Sequence, residues 1–437
     1  MKIIKNRYVL LTIILLVISF LLCSKSFNNM EKEELYNEAY LSEFDWILEP
    51  GVYDEIVLLT QEPLRYRVMN SENKYGVIDE NGALLLPCEY EELSCEDSSE
   101  IILVGGDRKY FMDFSGERIN NNSYSEASCY YGDYASVLSD GINKVIDKQG
   151  NTIITLDEII EMHPNAVNKK TDKSKVLGLD EENLMPVTND VFSYVIGEYT
   201  GLVNVREKKI VVPASKYNLF NGYSEGFYIF TNFYEERVSS NSITGLEQSY
   251  YLDEEGNEKF KDIFFTNVNV FKDDVALVEI ATDYKSYDMT EKKKKEQGIN
   301  IAWGIVDKKG NYRNLPDELT CEIGDSFSEG HLLLNDGKKV IILDKNLKIT
   351  GEIPIKEYMT NLGSFKQGLM PYGSIEKRKN KNRIGFYGDS LFGYINYKGE
   401  YVIEPIFDYA DNIYKGKAIV VLGNKYGIIN MEEYLYE

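Results

Sequence analysis

Two histidines, His163 and His331, and five cysteines, at 23, 88, 95, 129 and 321, have the widest chemical repertoire in this 437-residue chain. They are too few and too scattered to make a thiolate or imidazole metal site, since no CxxC spacing occurs. Cys88 and Cys95 could pair if the fold brought them together; buried free thiols are the simpler expectation. His331 follows the phrase "FSEG" and takes a position that similar phrases give to an apolar strand residue. His163 lies in "EMHPN". Both are expected to be solvated or at the core edge rather than general bases. Carboxylates are abundant, as in "LDEEGNE" (Leu252 to Glu258), yet sister stretches place Lys at the same turn, as in "DKKG" and "DKQG". A calcium loop needs oxygen ligands and would not tolerate that exchange. "LVGGDRKY" has adjacent glycines without phosphate-loop spacing. No catalytic residue, cofactor or metal is therefore expected.

Two basic islands interrupt the acidity: Lys292, Lys293, Lys294 and Lys295, and then Lys377, Arg378, Lys379, Lys381 and Arg383. Solvated loops are the plain reading. The sharper one is a patch for an anionic partner, a wall polymer or an acidic protein, whose binding would be salt-sensitive. The formal net charge of −23 argues against nucleic acid as a partner. The 34 Tyr and 19 Phe, beside only 10 Pro, suit an all-β protein.

The amino terminus reads as a targeting segment. Lys2, Lys5 and Arg7 precede the uncharged apolar run Tyr8 to Leu22, which matches an export signal and is short for a free-standing span. Three fates are open: lipidation at Cys23, cleavage near Ser24 and Ser26, or retention as an anchor. Each places the remainder outside the cytoplasm. The stretch 28–50 follows as an acidic tether or capping helix, with Leu35, Tyr36, Ala39 and Tyr40 at helical spacing.

What must position any functional residue is a repeat. "YGVIDENGALLLPCEYEE" from Tyr75, "TGLVNVREKKIVVPASKY" from Thr200, "WGIVDKKGNYRNLPDEL" from Trp303, "FGYINYKGEYVIEPIFDYA" from Phe392 and "YGIINMEEYLYE" from Tyr426 share one pattern. Four weaker copies bring the number to nine. The Asp or Asn before each turn falls at 79, 113, 147, 204, 253, 307, 344, 396 and 430. The spacings are 34, 34, 57, 49, 54, 37, 52 and 34, so the period is near 34 with insertions. Tyr75, Gly76, Asp79, Gly82, Gly201, Trp303, Gly304, Asp307, Gly310, Phe392, Gly393, Asn396, Gly399, Pro405, Tyr426 and Gly427 define the repeat. In "YGVID", Tyr75, Val77 and Asp79 share one strand face and Gly76 and Ile78 the other. Gly76 leaves room for a backbone or ring. Asp opens a type I turn and Gly closes it at positive φ. Pro belongs at a strand end or edge, and the aromatic after it should pack between units. A second phrase, "YSEGFYIF", "FSEGHLLL", "FKQGLMPY" and "YKGKAIVV", separates the hairpins.

These units resemble the bacterial WG-repeat family, also called KWG repeats, over about residues 50–437. "AWGIVDKKG", "NKYGIINM", "FGYINYKGEYVIEPIFDYA" and "FSEGHLLL" match its pattern best, with the signature Trp kept at 303 and replaced by Tyr or Phe elsewhere. The resemblance implies extracytoplasmic or interaction roles and supplies no catalytic residues. The expected architecture is all-β: about nine short hairpin repeats over 51–437, closed as a propeller-like ring or open as a curved β-solenoid. Residues 1–27 would be the signal or anchor helix, and inserted loops would lie near 155–197, 285–299 and 374–390. The expected function is a non-enzymatic extracytoplasmic scaffold binding a protein or a cell-wall glycan, with membrane contact through the amino terminus alone. The alternative is a glycan-acting enzyme using a carboxylate pair.

Overall fold

The computed structural model describes residues 40–97, 99–162, 183–196, 199–216, 218–239, 242–282, 301–316, 319, 327–335, 338–354, 363–374 and 391–435. They form eight antiparallel sheets, one of which is two repeat units joined through the single pair Ser249↔Phe265. Nine units are thus present among the described residues.

The first unit shows the plan. Glu55–Gln61, Leu64–Met69, Tyr75–Asp79 and Leu84–Tyr90 pair in that order. In the third strand Gly76, Val77 and Ile78 are all buried, so both faces of the strand are covered. The neighbours explain this. Val77 packs with Leu93, Ile102 and Val104 of the second unit, while Ile78 packs with Ile419 and Ile428 of the ninth. Leu202 and Val203 of the fourth unit divide in the same way between the fifth and third units. Each sheet is sandwiched, which is why the middle strands read as continuous apolar runs such as "IILVG", buried at every position.

The sandwiching has no open end. Trp46–Leu48 pairs antiparallel with Lys425–Asn430 and becomes the fourth strand of the ninth unit. Asn430 donates to Asp45 from its backbone N–H, 2.8 Å, and from Nδ2, 2.9 Å. With the last unit packed on the first, the described sheets follow one another in a circuit. The stretch read as a tether or capping helix therefore ends in a strand. Three residues give no periodicity to reveal it, and residues 28–39 lie outside the described part, as do the expected signal, the anchor helix and Cys23.

The signature glycine has a steric cause. In the eighth unit Phe392 pairs with Phe407 and Tyr394 with Ile403, so Glu404 to Ile406 bulge opposite Gly393. A Cβ at Gly393 would meet the Ile403 carbonyl oxygen at 2.2 Å. Gly76 faces the Leu86 carbonyl at 2.7 Å and Gly304 the Arg313 carbonyl at 2.4 Å. Pro405 sits in the bulge of an edge strand, Tyr401–Phe407, where the ladder needs no N–H. Phe407 fills the cluster between units eight and nine. Gly393→Val should lower stability by about 1–3 kcal/mol, since backbone must move to admit it. An unshifted thermal transition in that variant would refute the steric account.

Because the strands alternate in direction, the turns between first and second strands share one rim with the turns between third and fourth. The latter carry the marker residues: Asp79 Oδ1 accepts from the Asn81 and Ala83 N–H groups at 2.8 Å, and Gly82 sits at φ 80°. The former explain the second phrase. In units five to nine they are two-residue turns with both residues at positive φ, and in units five to eight the first residue reaches into the neighbouring unit's turn. Asn189 Oδ1 accepts from Asp133 N at 2.9 Å. Glu225 accepts from Asp273 N and Asp274 N at 2.8 and 3.0 Å. Asp273 accepts from Gly330 N at 2.6 Å. Glu329 accepts from Gln367 N and Gly368 N at 2.6 and 2.9 Å, and Gln367 Oε1 from Gly416 N at 2.7 Å. A relay of side-chain latches thus runs through units five to nine.

The opposite rim carries the second-to-third turns and the unit-to-unit links. The insertion expected near 155–197 is smaller than that. Leu156–Glu161 is a helix with Thr155 and Glu158 closing a capping box, and Asn183–Pro186 and Val191–Ile196 are strands of the fourth unit. The basic runs 292–295 and 377–383 lie outside the described residues. The strands bounding them, Val275–Ala281 with Ile301–Asp307 and Leu369–Ser374 with Leu391–Asn396, are second and third strands of their units.

Candidate binding cleft

On the turn rim, units two to four enclose a cleft of about 720 Å³ lined by Asp97, Ser99, Glu100, Ile101, Asp113, Ile119, Gly132, Asp133, Lys148 and Asn189. Its residues come from equivalent places in successive units. Asp97, Ser99 and Glu100 lie between Glu92–Ser94 and Ile101–Gly105; Asp113 ends Tyr110–Asp113. Gly132 and Asp133 form the turn before Tyr134–Ser139, Lys148 the turn after Ile142–Asp147, and Asn189 the turn before Val191–Ile196. Gly132 has φ 63°, and a Cβ there would strike Asn189 Oδ1. Tyr131, next to it, is 36% exposed.

The carboxylates of the lining are held in place. Glu100 takes two bonds from Arg65 Nη2, at 2.9 and 3.2 Å, and that guanidinium stacks 3.7 Å over the Phe114 ring. Asp97 Oδ1 accepts from Gln61 N at 2.6 Å. Asp133 accepts from Lys148 Nζ at 3.0 Å and from Arg206 Nη2 at 3.3 Å, and Arg206 also binds Asp190 at 2.9 Å. Lys148, seconded by Arg206, holds the Asp133 carboxyl below its ordinary range. The Ser115 hydroxyl and nearby backbone N–H groups do the same for Asp113. Both are therefore ionised acceptors at neutral pH. Glu96, one residue from the lining, goes the other way: burial, then the Asp97 charge, raises it.

Among the described residues no group of three or more His, Cys, Asp or Glu is arranged to hold a metal. Cys88 and Cys95 are free thiols, and burial pushes Cys95 up to about 12, which leaves it unreactive. His331 stacks on Tyr397 with centroids 3.9 Å apart and contacts the Glu329 carbonyl through Nδ1. The repeat-defining residues are dispersed around the circuit, one set per unit, and the structure brings none of them together as a site. His163, Cys321 and both basic islands lie outside the described residues. The cleft residues were missed because no single unit contains them. Aligning "YGDY", "TNDV" and "SEGF" by turn position would have put Gly132, Asn189 and Glu225 in one column and Asp133 beside Asp190 in the next.

The family description "WG containing repeat" matches residues 75–104 and 392–426. No curated protein matches the chain. Among solved structures, Porphyromonas gingivalis dipeptidyl peptidase 4 is similar over 85% of this chain and 56% of its own, at 10% identity and a TM-score of 0.43. A eukaryotic initiation factor is similar over 77% and 94%, at 12% and 0.34. The β-propeller domain of Myceliophteria thermophila Cps50 (Swd1) is similar over 75% and 96%, at 8% and 0.28. The chain spans little more than half the length of the peptidase.

Proposed function

Since the chain carries WG-containing repeats, we propose that it is a propeller-like, extracytoplasmic scaffold without enzymatic activity that binds a cell-wall glycan in the cleft of units two to four. The carrying observation is the character of that cleft. Four carboxylates and one ammonium line it, each carboxylate already oriented by a partner, and the exposed Tyr131 is next in sequence to the lining Gly132. Fixed acceptors beside an exposed ring suit a hydroxyl-rich ligand that is neutral or amino-bearing, and the excess of acid repels a polyanion. The export reading rests on the basic and apolar start of the chain. Among the described residues no helix is long and apolar enough to cross a membrane. The basic runs 292–295 and 377–383 are a second candidate contact, for an anionic partner.

The test is capture of wall-glycan fragments on immobilised chain at low and moderate salt. Intact chain should retain neutral fragments at both, and Tyr131→Ala should weaken retention about tenfold, the loss of one stacked ring. Equal retention by intact chain and Y131A would refute the cleft. Glu96, raised by burial and then by its neighbour Asp97, favours one other reading, a glycan-acting enzyme. Trimming of the captured glycan that stops in Glu96→Gln would establish it.

A further inference from the structure

The fifth unit carries an arm. Its second and third strands, Phe227–Ser239 and Ser242–Leu252, are 13 and 11 residues long, whereas the second strands of the other units have 5 to 7. Up to Asn232 the hairpin is flanked by Asn218–Ser224, and at Ser249 it meets Phe265 of the next unit. Beyond those points Phe233 to Ser239 pair only with Ser242 to Glu247 among the described residues. Seven residues of strand reach about 23 Å, so a two-stranded ribbon of that length has no further strand on either edge among the described residues. It belongs to the rim of the second-to-third turns, opposite the cleft and opposite Asp45, where the amino-terminal segment enters the circuit.

A bare edge is a template for another strand, and proteins that must prevent this place Pro or Lys there. The sequence from 233 to 247 contains neither; it holds Glu235, Glu236 and Glu247 against Arg237. A second copy of the chain would bring the same excess of acid. We propose that the arm docks an extended Lys- or Arg-bearing segment of a partner protein by β-strand addition, main-chain bonds giving affinity and charge giving choice. This rests on the scaffold reading but uses a different surface from the cleft.

The test compares the purified full-length chain with a variant in which residues 233–247 are replaced by Asn-Gly. Asn232 and Gln248 face each other across the hairpin, so a two-residue turn closes it there and leaves the circuit intact. The probes are short capped peptides alternating Val and Thr with Lys, the same with Glu, and a Lys peptide interrupted by Pro. The intact chain should bind the uninterrupted Lys peptide at least about tenfold tighter than either control and tighter than the arm-less variant does. Amide exchange should slow within 233–239 or 242–247 on addition of that peptide. Binding by the arm-less chain within about twofold, or no preference over the Pro peptide, overturns the proposal. Glycan capture by the same arm-less variant reports on the cleft, so failure of the arm and failure of the scaffold reading are separable.

Discussion

A chain lacking residues 40–50 should melt well below the intact protein and self-associate. Those residues supply the closing strand and its anchors. The Phe44 ring lies 5.3 Å from Phe407, Trp46 crosses Phe44 edge-on at 6.1 Å, and the Trp46 indole N–H donates to the Leu41 carbonyl at 3.0 Å. Ile47 and Leu48 pack against the cluster that joins the last unit to the first. Removing several half-buried side chains of this size should cost on the order of 5 kcal/mol. The deletion also bares the Lys425–Asn430 edge, which explains the expected self-association. A point variant separates closure from length. A Cβ at Gly427 would meet the Trp46 ring at 2.7 Å and the Leu48 carbonyl at 3.0 Å, so Gly427→Val should displace the closing strand and leave the chain otherwise whole. Calorimetry and sedimentation measure both effects. A monomer with an unshifted transition in each variant would mean that the circuit does not depend on this strand.

The second large effect is expected at Glu329. Its carboxylate accepts from Gln367 N, Gly368 N and, at 2.7 Å, the Tyr397 hydroxyl, all in the next unit. Glu329→Ala leaves three donors without their acceptor and should cost about 2–4 kcal/mol, toward the lower end because solvent reaches the site. Glu329→Gln keeps one acceptor oxygen and should lose less. The pH dependence follows from the direction of the shifts. Burial alone would raise Glu329, but the Gly368, Tyr397 and Gln367 donors, with Lys366, outweigh it and hold the carboxyl below its ordinary value. Glu225 is likewise lowered, burial being outweighed by Lys308 and the Asp274 and Asp273 N–H groups. A carboxyl lowered on folding contributes stability that is present above its unfolded value and lost as pH falls through its folded value. Stability of the intact chain should therefore fall on acidification below about pH 4.5, and more gently in the Glu225→Gln, Glu329→Gln double variant. Identical pH slopes in the two would sink the latch account.

The parts legible in sequence are those a single unit decides. The turn residues Asp79 and Gly82, the approach of backbone to Gly76 and Gly393, and the aromatic at Phe407 each follow from local sterics and local hydrogen bonding, so one copy of the repeat suffices to read them. What lies between units was not legible. Val77 and Ile78 alternate on the strand, yet both are buried because different neighbours cover the two faces, and the burial of a face depends on a unit distant in sequence. The Ser-Glu-Gly phrase reads as a plain turn until Glu225 and Glu329 are seen accepting from turns 48 and 38 residues ahead. The cleft gathers Glu100, Asp133 and Asn189 from three units. The closing strand is the extreme case: Asp45 and Asn430 are 385 residues apart, and three residues of sequence carry no period to announce a strand. Sequence by itself determined the repeat, its all-β character and its turn chemistry, because those are local. Only the tertiary structure decided closure, latching and the cleft, because each is a contact between units whose order in space the repeat pattern does not encode.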